Sequence, residues 1–357
     1  MHRNLAFLPI SEKIEWLKQH NAAHSQAYCS PDQELSRQLY LAQHPTRIAA
    51  FKCMDGRINL PIVTRKPFGI IDPFRNLAGR FDLGWPYLGE LFQEWVERAV
   101  SSGRQCLVLV TYHFSESDNS HRGCAGFDYD KGRAYAFMAH FKRQIERVFG
   151  YDHHVVYPLI VGLETDTDTL SFHGAGDSLL DLSTVTNHGQ DYLTRELARL
   201  YPDLPERMLV DLVPLAQGNL QHIADVAADN RPIVEAEHRE WVLGIGRGFD
   251  WLHEPNLALL VGPYSPNLDE PIKMAFSIIG TNMQKRRISD DGFVLLTSAP
   301  YSRQGADKQR AMEKAEFLST FAREVAARHY PELSKIMKEL TVVLDQGNRR
   351  IEVLPAL

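Results

Sequence analysis

The pentapeptide Cys53-Met-Asp55-Gly-Arg57 places three reactive side chains on alternate positions. A thiolate is a good zinc ligand. A carboxylate two residues on is close enough to accept a hydrogen bond from a water on the metal. An arginine two residues further can hold that carboxylate ionised and correctly turned through a bidentate pair. The same five residues would also suit a strand-end cysteine beside an ordinary surface ion pair, and the pentapeptide alone does not choose between the two.

A second stretch changes the balance. Tyr112-His113-Phe114-Ser115 is followed by Ser120-His121-Arg122-Gly123-Cys124-Ala125-Gly126. One of these histidines and Cys124 complete a Cys₂His set with Cys53, the three protein ligands of a catalytic zinc site that keeps its fourth position for water. His121 has the tighter H-x-x-C spacing. His113 directly follows a buried apolar run, and a strand-end side chain loses less entropy on being ordered than one in a loop. The expected ligands are Cys53, His113 and Cys124, with His121 as the alternative. Four cysteines in 357 residues do not make a disulfide framework. Cys106 opens an apolar strand and reads as a small buried hydrophobe; Cys29 lies in a Ser-Pro loop without a role. His153-His154 would point to opposite faces of a strand, and His222 and His253 have no thiolate partner.

These residues need a frame. Residues 11–44 read as helical, with Ile14, Leu17, Leu35, Leu39 and Leu41 on buried faces and a break at Ser30-Pro31. Arg47 to Lys52 is a short buried strand that delivers Cys53 at its end. A Pro/Gly-rich stretch, 61–84, precedes a helix over 86–102, with Leu88, Leu91, Phe92, Trp95 and Ala99 at helical spacing and Gly103 ending it. Residues 106–110 form a strand covered on both faces. A helix over 133–149, a strand over 155–163, and the turn Asp166-Thr-Asp168 with Leu170-Ser-Phe172 complete the first half. Strands alternating with helices imply a mostly parallel sheet, whose chemistry sits at the carboxyl ends of its strands.

The order then repeats. Met208 to Val213 reads as a strand, with Gly218 matching Gly56, Leu215 opposite Cys53, Gln217 opposite Asp55 and Asn219 opposite Arg57. Asn256 to Val261 resembles the 106–110 strand, which puts Tyr264 where His113 stood. A helix over 307–328 and the segments 341–348 and 350–353 match 133–149 and 159–172. Gly244-Ile-Gly-Arg-Gly248 reads as a turn. The second half is expected to be a copy that kept the fold and lost the ligands.

Composition bounds the partners. The chain is 44% hydrophobic and 24% charged, enough for a sizeable core, and its formal net charge is -6. No polybasic run favours nucleic acid or an anionic membrane. No apolar run approaches the roughly 20 residues that span a bilayer. With no signal peptide at Met1 to Ile10, the chain is expected to be soluble and intracellular.

One more motif completes a pattern. Arg75-Asn76-Leu-Ala-Gly79 lies between the two ligand segments. C-x-D-x-R on the first strand, this Arg-Asn-x-x-Gly stretch, a strand-end histidine and a Cys-x-Gly turn together resemble a beta-class carbonic anhydrase. The closer resemblance is to the carboxysome shell carbonic anhydrase branch. There the histidine-to-cysteine spacing is widened, as from His113 to Cys124, and a metal-free second copy of the fold follows the active one. The stretch from Phe249-Asp-Trp-Leu-His253 to Tyr264 is similar to that branch too. The resemblance covers residue 47 onward; ahead of it a short helical arm is expected where the shell enzymes carry a long N-terminal region.

The resemblance implies an α/β fold of two related sheet domains: a helical arm over 1–46, a zinc-binding catalytic domain over 47–200 and a degenerate copy over 201–357. It implies zinc-dependent, reversible hydration of carbon dioxide to bicarbonate, a lyase reaction, with Asp55 and Arg57 as the catalytic pair and Zn²⁺ on Cys53, His113 and Cys124. A zinc hydrolase acting on a related or larger substrate is the alternative. A zinc that only staples the fold would not need Asp55 and Arg57. A homodimer is expected, in the cytoplasm or, alternatively, the carboxysome. No residue is singled out as a proton shuttle.

Overall fold

The computed structural model describes residues 5–150, 155–185, 189–229, 237–252 and 254–355. His153, His154 and His253 lie outside them. The N-terminal arm is two helices, α1 (Ile10–Tyr28) and α2 (Pro31–Gln43), divided where Pro31 can start a helix but not continue one. Leu17 is buried, whereas Leu35 and Leu39 of α2 are exposed, against expectation. α1 instead docks on the far end of the chain: Asn21 Nδ2 donates to the Arg349 carbonyl and Asn21 Oδ1 accepts from the Ile351 amide.

The first sheet is laid down by β1 (Arg47–Cys53), β2 (Ile71–Asn76), β3 (Cys106–Phe114), β4 (Val156–Glu164), β5 (Thr169–His173) and β6 (Leu179–Asp181), in the order β2-β1-β3-β4-β5-β6. β2, β1, β3 and β4 run parallel; β5 and β6 are antiparallel additions at one edge. Every residue of β3 is buried, as a continuous apolar run with both faces covered requires. The crossover helices are the short α3 (Leu60–Val63), α4 (Pro86–Ser101), the four-residue α5 (Asn119–Arg122) and α6 (Lys131–Phe149). α4 buries Leu88, Leu91, Phe92, Trp95 and Ala99 at the expected helical spacing. Fully burying a side chain such as Leu88 or Phe92 stabilises the packing by about 1.5–3 kcal/mol each.

The second sheet contains β7 (Val242–Gly246), β8 (Ala258–Val261), β9 (Phe293–Tyr301), β10 (Met337–Asp345) and β11 (Ile351–Val353), ordered β8-β7-β9-β10-β11. Term by term this repeats β2-β1-β3-β4-β5, including the antiparallel last strand. The two sheets therefore share one topology, and one contiguous apolar core runs through both.

The register of the repeat differs from the sequence expectation in three ways. Met208 to Val213 is not a strand: it lies in α8 (Glu206–Ala228), a helix with Pro214 inside it. α8 pairs with α7 (Gln190–Leu200) and is tied to the first half by Asn219, whose amide donates to the Val63 and Asp168 carbonyls. Gly244-Ile-Gly246 is not a turn but the end of β7. Asn256 to Val261 leads into the counterpart of β2, not of β3.

Ladder positions give the true correspondence. Cys106 and Phe293 open equivalent ladders with β4 and β10, and Ile48 and Val242 pair with the next residues of β3 and β9. Counting along the strands sets Arg247 at the position of Cys53 and Pro300 at that of His113, in place of the expected Leu215 and Tyr264. α9 (Asp269–Gln284), α10 (Ala306–His329) and α11 (Pro331–Ile336) cover this half.

Candidate metal centre and active site

Parallel pairing of β1 with β3 brings their carboxyl ends side by side. Cys53 is the last residue of β1, and His113 is the penultimate residue of β3, which runs on through Phe114. Gly79 packs beneath them from the Arg-Asn-x-x-Gly stretch. Its φ is +68°, and a Cβ there would stand 3.1 Å from the Thr111 carbonyl oxygen and 3.3 Å from the Cys53 nitrogen. Glycine meets both the left-handed backbone and the close approach. Asn76 anchors the other side, its carbonyl accepting from the Met54 amide at 2.8 Å.

The third residue arrives by loop. Between His113 and Cys124 the chain is held by Arg122, buried, whose Nη1 lies 3.3 Å from Asp166 Oδ1 and whose Nη2 donates to Ser117 Oγ at 2.7 Å. Ser115 Oγ also donates to Asp166, at 2.7 Å. These bonds fold the polar segment back and deliver Cys124. The sulfurs of Cys53 and Cys124 and a ring nitrogen of His113 all lie within 4.8 Å of one another, and all three residues are buried. His121 is placed elsewhere: its side chain is 64% exposed and its Nδ1 is 2.9 Å from Asp118. Cys106 is buried in the strand, its thiol pushed up to about 12 chiefly by burial, and Cys29 is exposed.

The donor set fits a zinc ion. Neither ring nitrogen of the buried His113 has a hydrogen-bond partner among the described residues, and a buried polar atom left so is costly. Hydrogen bonding with Cys124 pushes the Cys53 thiol well above its ordinary value, burial adds to this, and His113 opposes it. A thiolate in such a place calls for a cation beside it, and two sulfurs with one imidazole nitrogen are a zinc-type set.

Asp55 and Arg57 form the second layer. Asp55 Oδ1 accepts from the Arg57 amide at 2.9 Å and from Nε at 3.0 Å; Oδ2 accepts from Nη2 at 2.6 Å. Burial works to raise the Asp55 carboxyl, but the Arg57 charge and the hydrogen bonds from Arg57 outweigh it and hold the group well below the usual carboxylate range. Burial likewise opposes the charge on Arg57, and Asp55 more than restores it. The pair is therefore ionised, and its carboxylate can only accept.

Two further residues reach this layer without any signal in the motifs. His238 and Glu240, just ahead of β7, gather with Asp55, their ligand-type atoms within 4.8 Å of one another. Nothing local to the His-Arg-Glu tripeptide points to Asp55; only the packing of the two halves does.

Comparison with known proteins points to the family that the motifs resemble. Residues 46–199 match the model of the carboxysome shell carbonic anhydrase catalytic domain. The chain is 27% identical over 256 residues to a carboxysome shell carbonic anhydrase of Prochlorococcus marinus (strain MIT 9313), covering 62% of this chain and 50% of that protein. It is 28% identical over 239 residues to the one of Hydrogenovibrio crunogenus, covering 58% and 45%. With the Halothiobacillus neapolitanus protein the match is 28% over 134 residues, 34% of this chain and 26% of the relative. The chain thus spans about half the length, or less, of the curated relatives it matches. In its motifs, its fold and these matches, the chain is similar over residues 46–199 to the catalytic domain of the carboxysome shell carbonic anhydrases.

Proposed function

We propose that this chain is a zinc-dependent carbonic anhydrase that interconverts carbon dioxide and bicarbonate. The observation that carries the reading is the buried Cys53–His113–Cys124 set standing beside an ionised Asp55 that Arg57 holds in place. Zinc on a Cys₂His set supplies Lewis-acid activation of water near neutral pH. The rest of the reading concerns the chain's own groups. Asp55 accepts a hydrogen bond from the attacking water through the side of Oδ2 turned towards His113, which aims a lone pair of that water at carbon dioxide. Arg57 keeps Asp55 charged and correctly turned. The burial of all five side chains excludes bulk solvent and strengthens these contacts.

Stopped-flow hydration of carbon dioxide by the zinc-loaded chain tests the reading, with carbonyl sulfide and an ester in parallel. Hydration without comparable turnover of the other two supports it; preferential turnover of either would favour a zinc hydrolase. The relatives are named as carboxysome shell proteins, and we extend that association to this chain as the alternative to free residence in the cytoplasm. Among the described residues no helix is long and apolar enough to cross a membrane. We also propose a homodimer of such chains, closed symmetry being the commonest outcome; light scattering showing only monomer at micromolar concentration would exclude it.

A further inference from the structure

The metal-free half lends two side chains to the active site. His238 Nε2 lies 3.0 Å from Arg57 Nη2 and 3.7 Å from Asp55 Oδ2. Its Nδ1 lies 3.0 Å from both carboxylate oxygens of Glu240. Glu240 is fully buried and also accepts the Gly56 amide at 3.1 Å. The approach is close enough that a Cβ on Gly56 would meet the Ala258 carbonyl oxygen at 2.8 Å and Glu240 Cγ at 2.9 Å. The Asn256 amide donates to the Gly56 carbonyl at 2.9 Å, and the Leu260 amide to that of Met54 at 2.8 Å. The loop from Cys53 to Arg57 is thus clamped from the second sheet.

The chemistry of these contacts selects one form of His238. A carboxylate only accepts and a guanidinium only donates. Glu240 therefore requires a proton on Nδ1, and Arg57 requires a lone pair on Nε2. Both demands are met by the neutral ring with its hydrogen on Nδ1. The other tautomer sets a lone pair against Glu240 and an N–H against Arg57; the doubly protonated ring keeps the first contact and breaks the second. Asp55, His238 and Glu240 could together surround a cation, but Arg57, 2.6 Å from Asp55 and 3.0 Å from His238, already supplies that charge.

We propose that Glu240 and His238 are a positioning pair for the reaction. Glu240 fixes the His238 tautomer, His238 accepts the second hydrogen of Arg57 Nη2, and Arg57 so held cannot swing away from Asp55. On this account the second half, having no ligands of its own, is retained in part to set the carboxylate of the first. The proposal rests on the carbonic anhydrase reading for its activity readout, but not for its structural one.

The test compares His238→Leu with His238→Gln in zinc-loaded protein. The Gln Oε1 can accept from Arg57 where Nε2 did, whereas Leu cannot. With zinc content and melting temperature retained, kcat should fall by about 10–100-fold in His238→Leu, the range typical of groups that orient a site from behind. KM should move little, and His238→Gln should stand well above His238→Leu. Equal loss in both variants would make the ring a titrating proton carrier and overturn the proposal; so would full activity in both. Should His238→Leu fail to fold or to hold zinc, nitrogen-15 shifts of His238 in the wild-type protein decide instead, assigned by the signal lost in His238→Gln. A bare Nε2 with protonated Nδ1 at mildly alkaline pH is expected, and a protonated Nε2 overturns the proposal. A wild-type chain that does not hydrate carbon dioxide would defeat the functional reading while leaving this tautomer measurement intact.

Discussion

Asp55 Oδ2 stands 3.8 Å from His113 Nε2, and Arg57 Nη2 donates to that same oxygen at 2.6 Å. The carboxylate thus stands beside the Cys53–His113–Cys124 set, which on the proposed reading supplies three zinc ligands without it. Asp55→Ala should therefore keep zinc yet lose carbon dioxide hydration by a factor on the order of 10² or more, as when a positioned proton-accepting group is removed. Arg57→Ala should act in the same direction. Zinc-replete variants in a stopped-flow assay decide; near-normal turnover of Asp55→Ala would refute the role.

The two histidines make separable predictions. His113 converges with two cysteines and lacks any other hydrogen-bond partner among the described residues, whereas His121 is exposed and paired with Asp118. His113→Ala should weaken zinc binding by far more than the roughly 10–100-fold typical of outer-layer changes, and His121→Ala should leave it intact. Competition against a chromophoric chelator measures both.

Metal content tests the degenerate half. Arg247 and Pro300 occupy the ladder positions of Cys53 and His113. A guanidinium repels a cation, and proline has no side-chain donor atom. Purified chain should carry one zinc, not two, by elemental analysis.

Acid stability tests a half-buried histidine away from the candidate metal centre. His173 Nε2 lies 2.9 Å from the Tyr112 hydroxyl, and burial, aided by Lys131, pushes its pKa down to about 4. A base depressed in the folded state favours folding fully above its unfolded value of about 6.5. Below that the unfolded chain takes up a proton that the folded chain refuses, and stability falls until about pH 4. His173→Gln, which can still bond Tyr112, should flatten the fall in melting temperature across that window. An unchanged slope would mean that other groups govern it.

Much of the first half was legible because its signals are local. β3 and β4 are largely apolar runs, α4 and α6 have clear helical spacing, and Asp55 and Arg57 lie in the short loop directly after Cys53, where their hydrogen bonds span two residues. That His113 and not His121 stands beside the two cysteines was legible too, since it turns on strand against loop. The second half misled in register. α8 is apolar on several sides because it is wedged between α7 and the first sheet, and its run from Met208 to Val213 has no periodicity that separates a buried helix from a buried strand. The glycines of β7 imitated a turn.

The sequence by itself determined which residue types gather at the candidate site, the local carboxylate–arginine pair and the existence of a second copy of the fold, because each is written in residue identity and short spacing. Only the tertiary structure decided which positions of the two copies correspond, since that depends on the ladders between β7, β8 and β9. It alone also brought Glu240 to Gly56 and His238 to Arg57. Those contacts join segments more than a hundred residues apart, and no local propensity encodes them; they exist because the edge strands β2 and β8 of the two sheets meet beside the end of β1.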